Sequence, residues 1–391
     1  MAGCEELLNA GVDLLYLAAC SLAGEVPKRE RLERMDLEQL YTLSVGQGMI
    51  AIVSMALQSA WKLWEAELPP LDRKWKLTSD QMLRSQILMD AERAEITEWM
   101  EEQKIWYMPL KGTVFQEWYP RYGMRQMGDA DILFDPAARS ELKRFMKSRG
   151  YTLDRGEVHD TYTKAPVYNF EMHVSLFDHS VKREWIQYYE DIRKRLVPDQ
   201  EGGFRYSFTN EDSYLYFLAH GYKHYEYQGT GLRFLVDSYV FNWKKGKELD
   251  WNILRKKLKK LGLSEFEKKS RNLSKKLLSP AEDGKEIALT AEEKAFFLSL
   301  TASGTYGSME NFVQNGFDKY RKDGKPLSRL QKIHYVFRRI VPTRQWIAEY
   351  HPYYDKRPWL IPGYVIHRFF KRMIFNQRNI REEWKNVKKL K

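Results

Sequence analysis

Residues Arg125-Gln126-Met127-Gly128-Asp129-Ala130-Asp131-Ile132-Leu133-Phe134 decide how the rest of the chain is read. Side chains alternate faces along an extended strand, so Asp129 and Asp131 point the same way while Ala130, Ile132 and Phe134 point the other. Two carboxylates then share one face with Cα atoms about 6.6 Å apart. Such a pair resists ionisation unless positive charge lies close by. A divalent cation with hard oxygen ligands answers that need.

The segments on either side extend the pattern. A helix over Pro136–Arg149, ended by Gly150, precedes apolar runs at Tyr151–Leu153, Asp160–Thr163 and Tyr168–Leu176, which read as strands joined by short turns and therefore partly antiparallel. In the last run Phe170, Met172, Val174 and Leu176 form an apolar face, and Glu171, His173 and Ser175 a polar one. Glu171 is thus a third carboxylate for the same site, with His173 placed to orient a carboxylate. Upstream, Ile105–Leu110 reads as a strand running through Lys111-Gly112-Thr113 into a short helix that ends near Trp118. Backbone N–H groups at a helix start favour phosphate, glycine permits close approach, and Lys111 adds a point charge. Three acids and a phosphate turn suit Mg²⁺ or Mn²⁺ chemistry on a nucleoside triphosphate (NTP), since two such ions can activate an attacking hydroxyl and neutralise a departing pyrophosphate. Arg125 is a further candidate, either for a phosphate or as a brace for Asp129 or Asp131.

The order of these residues resembles a known family. Leu110-Lys111-Gly112, Tyr119-Pro120, Arg125-x-x-Gly128-Asp129-x-Asp131-x-Leu133, Gly150-Tyr151 and Glu171-x-His173 are similar to the uncharacterised nucleotidyltransferase family, a branch of the polymerase-beta-like nucleotidyltransferase superfamily. The resemblance covers about Ile105–Leu176 and, more loosely, His220–Asp237. It implies Gly112 and Thr113 for the triphosphate turn, Asp129 and Asp131 as the metal pair, and Glu171 as the third ligand and base. Thr113 stands where many superfamily members have Ser or Gly, and it keeps a hydroxyl. The implied reaction moves a nucleoside monophosphate from an NTP to a hydroxyl of an acceptor, which could be a small molecule, peptide, sugar or RNA. Phosphoryl transfer from the same site, in the manner of a kinase, and a nucleotide- or RNA-binding module without turnover are the competing readings.

The expected fold is α+β, a mixed-sheet core at 78–203 flanked by a helical region at 1–77 and a helical domain with a basic tail at 204–391. Three- and four-residue apolar spacings from Leu7 to about Met100 carry the first assignment; Pro69, Pro70 and Asp72 interrupt them, and the helix over Thr78–Gln103 goes with the core. Asp212–Tyr225 and Leu232–Trp243 are the clearest helices of the last part, Gly202 and Gly203 mark its start, and Ser279–Thr290 reads as a surface connection. A chain of 391 residues suits two or three such parts. With 43% hydrophobic and 30% charged residues it can build a core and remain globular.

Glu5, Glu6 and Asp13 stand where a secretory signal carries basic residues, and the apolar run Met49–Leu57 is far shorter than a bilayer span, so neither a signal peptide nor a transmembrane segment is expected. Cys4 and Cys20, the only cysteines, fit a cytoplasmic protein. Most of the net charge of +11 lies in two segments: Arg255–Lys276 has ten Lys/Arg against two Glu, and Arg368–Lys391 nine against two. Either could meet an anionic surface, although solvated helix faces have the same composition. The aromatic tail Trp346–Phe370 reads as packing, or as an interfacial or base-stacking segment. His220 and His224 at i, i+4 read as ordinary histidines, and Arg233 and Asp237 as an i, i+4 ion pair.

Overall fold

The computed structural model describes residues 2–64, 70–156, 158–177, 181–227, 229–279, 288–304, 341, 344, 347, 352–355 and 357–367. Two compact units emerge: Met1–Tyr222 with Gly231–Thr305, and Lys223–Thr230 with Tyr306–Lys391. The first begins with α1 (Ala2–Ala23), α2 (Arg29–Leu32), α3 (Leu37–Gly46), α4 (Ile50–Trp64) and α5 (Arg73–Glu102). The core follows as β1 (Tyr107–Pro109), α6 (Gly112–Phe115), β2 (Ala130–Phe134), α7 (Arg139–Ser148), β3 (Thr152–Arg155), β4 (His159–Lys164) and β5 (Tyr168–His173). Then come α8 (Arg183–Tyr189), a small hairpin of β6 (Val197–Pro198) and β7 (Tyr206–Ser207), α9 (Asn210–Tyr227), α10 (Arg233–Lys245), α11 (Trp251–Lys260), α12 (Ser264–Leu278) and α13 (Ala291–Ser303). In the second unit the described elements include α14 (Pro352–Asp355), a 3₁₀ turn at Pro358–Leu360 and helical residues 361–367. The basic segment Arg368–Lys391 lies outside the described residues, as do most of Ser279–Thr290 and much of Trp346–Phe370.

The α+β class is as expected. Five strands form one sheet in the order β1-β2-β5-β4-β3, with β2 and β5 parallel and the other three pairings antiparallel. Ala130, Ile132, Phe134, Phe170 and Met172 turn one face of it onto Met89, Ile96 and Met100 of α5 and Leu142 and Met146 of α7. β5 stops at His173, short of the expected Leu176, and α5 begins at Arg73, where Asp72 accepts a hydrogen bond from the Lys74 N–H. Gly202, read as a boundary, has φ +77° in the segment between β6 and β7. That segment returns to the core: the Tyr107 N–H donates to the Phe204 carbonyl at 2.9 Å.

The apolar run Met49–Leu57 forms the largely buried first half of α4. Among the described residues, Cys4–Ala23 of α1 is the stretch long and apolar enough, by length and composition, to cross a membrane. In the fold Leu14, Leu15, Leu17 and Ala18 of this helix are wholly buried, and it packs against α3, α4, α12 and α13. Its apolar character serves the helical core of the first unit.

Phe170 is fully buried where β5 meets α5, with Tyr151 edge-on at 5.9 Å. Phe170→Ala is expected to lower the unfolding free energy by about 3–5 kcal/mol, measured by urea denaturation.

Candidate active site

The sheet's other face carries the acids. Parallel pairing sets Asp131 of β2 directly beside Glu171 of β5, and the β4–β5 register sets His159 opposite His173. Asp129, two residues before Asp131, completes the row. Asp129, Asp131 and Glu171 each offer a carboxylate oxygen within 4.8 Å of the others. Sequence parity placed these three together, and the fold brings them together.

Asp129 and Glu171 are half-buried, while every residue of β2 is buried, Asp131 with 3% exposure. A carboxylate at that depth requires partners. Lys111 Nζ donates to Asp131 Oδ1 at 2.6 Å, and His173 Nε2 meets the same oxygen at 2.8 Å. Lys111 Nζ also lies 3.9 Å from Glu171 Oε2. Burial alone would raise the Asp131 carboxyl, but the Lys111 ammonium and the His173 hydrogen bond hold it well below the usual carboxylate range. Burial likewise opposes a charge on His173, and its hydrogen bond to Asp131 with the Glu171 carboxylate nearby outweighs that and raises its pKa. Asp129 is less compensated: burial, with Asp131 beside it, pushes its carboxyl up to about 6. The two aspartates are thereby driven apart in acidity, with Asp129 gaining most from an added cation.

Lys111 reaches Asp131 through an unusual backbone, φ 47° and ψ −119°, in a region that favours glycine. Strain of this kind costs on the order of 1–3 kcal/mol and persists only where the surroundings enforce it. The Leu110 N–H, donating to the Asp131 carbonyl at 2.9 Å, is one such tie. Gly112 faces another, because a Cβ there would lie 2.5 Å from Arg125 Nη1. The helix opened by Gly112 has only four residues, so its dipole adds little, and the Thr113 N–H is already used on the Leu110 carbonyl. Thr113 is buried, and its hydroxyl has no hydrogen-bond partner.

Arg125 does not brace the acidic pair through hydrogen bonds. Its Nε and Nη2 donate to the two oxygens of Asp237 at 2.8 and 2.9 Å, and the Tyr119 hydroxyl donates to the same carboxylate at 2.8 Å. The i, i+4 pair read for Arg233 and Asp237 is therefore corrected: Asp237 turns inward to a buried bidentate arginine, and Arg233 Nη1 donates to the Gln126 carbonyl at 3.0 Å. A bidentate pair within one planar fork outweighs a single contact along a helix surface. Arg125 thus holds the segment between β1 and β2 on α10 and packs behind Gly112. His220 and His224 are not among the described groups of three or more residues that could hold a metal.

Two further groups went unread in the sequence. His159 Nε2 lies 3.8 Å from Glu171 Oε2, and only the β4 register could have revealed it. Tyr216 of α9 is 3% exposed, its hydroxyl lacks a partner, and the charges of Lys111, Asp131 and Glu171 act on it. Nothing in its local sequence distinguishes it from its aromatic neighbours.

The donor set fits a hard divalent ion: three carboxylates converge, and the one with the least compensated charge stands at the end of the row. A model of the uncharacterised nucleotidyltransferase family matches residues 33–279. The chain belongs to this family. The match extends beyond the motifs in both directions, from the end of α2 through α12, and contains every residue of the site. No curated protein and no solved structure matches the chain. The nucleotidyltransferase assignment thus rests on the family match, and the convergence of Asp129, Asp131 and Glu171 is compatible with it.

Asp237→Ala would leave the Arg125 guanidinium buried and unpaired, at an expected cost of about 3–5 kcal/mol in urea denaturation. The double variant Arg125→Ala/Asp237→Ala is expected to lose less than the two single losses added together, and strict additivity would show that the pair does not couple.

Proposed function

We propose that this protein is a metal-dependent nucleotidyltransferase that moves a nucleoside monophosphate from an NTP to an acceptor hydroxyl and releases pyrophosphate. The observation that carries the reading is the convergence of Asp129, Asp131 and Glu171 within 4.8 Å on one sheet face, in a chain of a nucleotidyltransferase family. Those three carboxylates would hold Mg²⁺ or Mn²⁺, which when bound would supply Lewis-acid neutralisation of phosphate charge and lower the pKa of a bound hydroxyl. Lys111 keeps Asp131 ionised and lies at the turn where the triphosphate would rest, with its ammonium available to phosphate oxygens. Gly112 and Thr113 supply close backbone approach and a hydroxyl. Glu171, at the centre of the face, accepts the acceptor's proton. Arg125 serves as a positioning residue, since Asp237 occupies two of its donors.

The same residues would serve γ-phosphoryl transfer, and the label position separates the two: α-labelled NTP marks the acceptor in nucleotidyl transfer, γ-labelled NTP in a kinase reaction. The first experiment is the thermal stability of wild type and of Asp129→Asn/Asp131→Asn with each NTP, with and without Mg²⁺ or Mn²⁺. Ligand that binds only the native state raises the melting temperature, by about 2.7 kcal/mol of added stability at a hundredfold excess over Kd. A metal-dependent rise that the double variant loses is the expected outcome. No rise with any nucleotide overturns the reading and turns attention to RNA binding without turnover.

A further inference from the structure

We propose a second divalent-cation site on the same sheet face, formed by His159, Glu171 and His173, that takes a borderline transition ion rather than Mg²⁺. It is independent of the nucleotidyl-transfer reading, because ion binding is measured without nucleotide. The backbone dictates the grouping. His159 and His173 are direct partners across the antiparallel β4–β5 ladder, and Glu171 precedes His173 by two residues and so shares its face.

The distances are those of a nearly formed ligand set. His173 Nε2 and His159 Nε2 lie 3.6 and 3.8 Å from the same oxygen, Glu171 Oε2. One donor atom from each of the three residues falls within 4.8 Å of the others, and the two imidazole centroids are 4.8 Å apart. Donors bound about 2.0–2.1 Å from a tetrahedral ion stand roughly 3.3 Å from one another, so the two distances to Glu171 need shorten by only a few tenths of an ångström. Nδ1 of His173 has no hydrogen-bond partner. The ring proton can therefore sit on Nδ1, and Nε2 would exchange its 2.8 Å contact with Asp131 Oδ1 for an ion while Lys111 continues to hold Asp131. His159 has 36% of its side chain exposed, which gives an ion a path from solvent and leaves room for water as a further ligand.

Chemistry separates this set from the all-carboxylate one. Two imidazoles and one carboxylate suit Zn²⁺, Co²⁺ and similar ions, whereas Mg²⁺ prefers oxygen throughout. Glu171 belongs to both sets. It has two oxygens, so one ion need not exclude the other.

The test is equilibrium binding of Zn²⁺ to the full chain without nucleotide in millimolar Mg²⁺, together with the visible absorption spectrum of the Co²⁺-loaded protein. Wild type is expected to bind one Zn²⁺ that Mg²⁺ does not displace, and to give a Co²⁺ spectrum with nitrogen ligation. His159→Ala and His159→Gln are expected to weaken Zn²⁺ at least about tenfold and to shift that spectrum, while Asp129→Asn leaves both unchanged. Wild-type Zn²⁺ affinity in both His159 variants, equal loss in Asp129→Asn, or an all-oxygen Co²⁺ spectrum in wild type would each overturn the proposal. The wild-type spectrum decides the matter even if a variant fails to fold.

Discussion

A single buried oxygen organises this fold. Asp131 Oδ1 receives both the Lys111 ammonium and the His173 ring, in the middle of a strand buried along its whole length. A carboxylate there with neither partner would be an uncompensated charge in a low-dielectric interior, which costs several kcal/mol. The positions of β1, the strained turn and β5 all follow from the need to deliver those partners. The Lys111 backbone accepts an unfavourable conformation because the Leu110–Asp131 hydrogen bond and the Arg125 side chain behind Gly112 leave the turn little choice. Arg125 in turn is held by Asp237 of α10, which also accepts from the Tyr119 hydroxyl, so a buried ion pair supports a turn at the sheet edge.

The order of the strands explains why Glu171 is central. β5 lies between β2 and β4, so its polar face is shared by the aspartates on one side and His159 on the other. Burial and the neighbouring Asp131 charge leave Asp129 as the acid that holds its proton to about pH 6, while Asp131 stays ionised throughout the physiological range. An added cation gains most at the Asp129 end, where charge is least compensated, and an imidazole-liganded one at the opposite end. The opposite face has none of these constraints and is filled by Ile132, Phe134, Phe170 and Met172 against α5 and α7.

Much of this was legible in the chain. Strand parity alone put Asp129 and Asp131 on one face and Glu171 and His173 on another polar face, and the short apolar runs located every strand of the main sheet to within a few residues. Arg125 was visible as a candidate, but its partner was not: Asp237 lies 112 residues away and looked like half of a local helix pair. Helix α1 falls within the region read as helical, but Glu5, Glu6, Asn9 and Asp13 interrupt it, so no single apolar run marks it as a candidate span.

The sequence by itself determined the alternation of faces, the α+β class and the order of the acidic motifs, because each depends on spacing within one element. Tertiary structure decided which elements are neighbours, and so which charges meet. His159 enters the site through the β4–β5 register, Tyr216 through the packing of α9 over the acidic face, and Asp237 through the burial of α10. The physical reason is one of range: backbone geometry fixes side-chain direction over two to four residues, whereas compensation of a buried charge requires whichever opposite group the completed fold brings within about 3 Å.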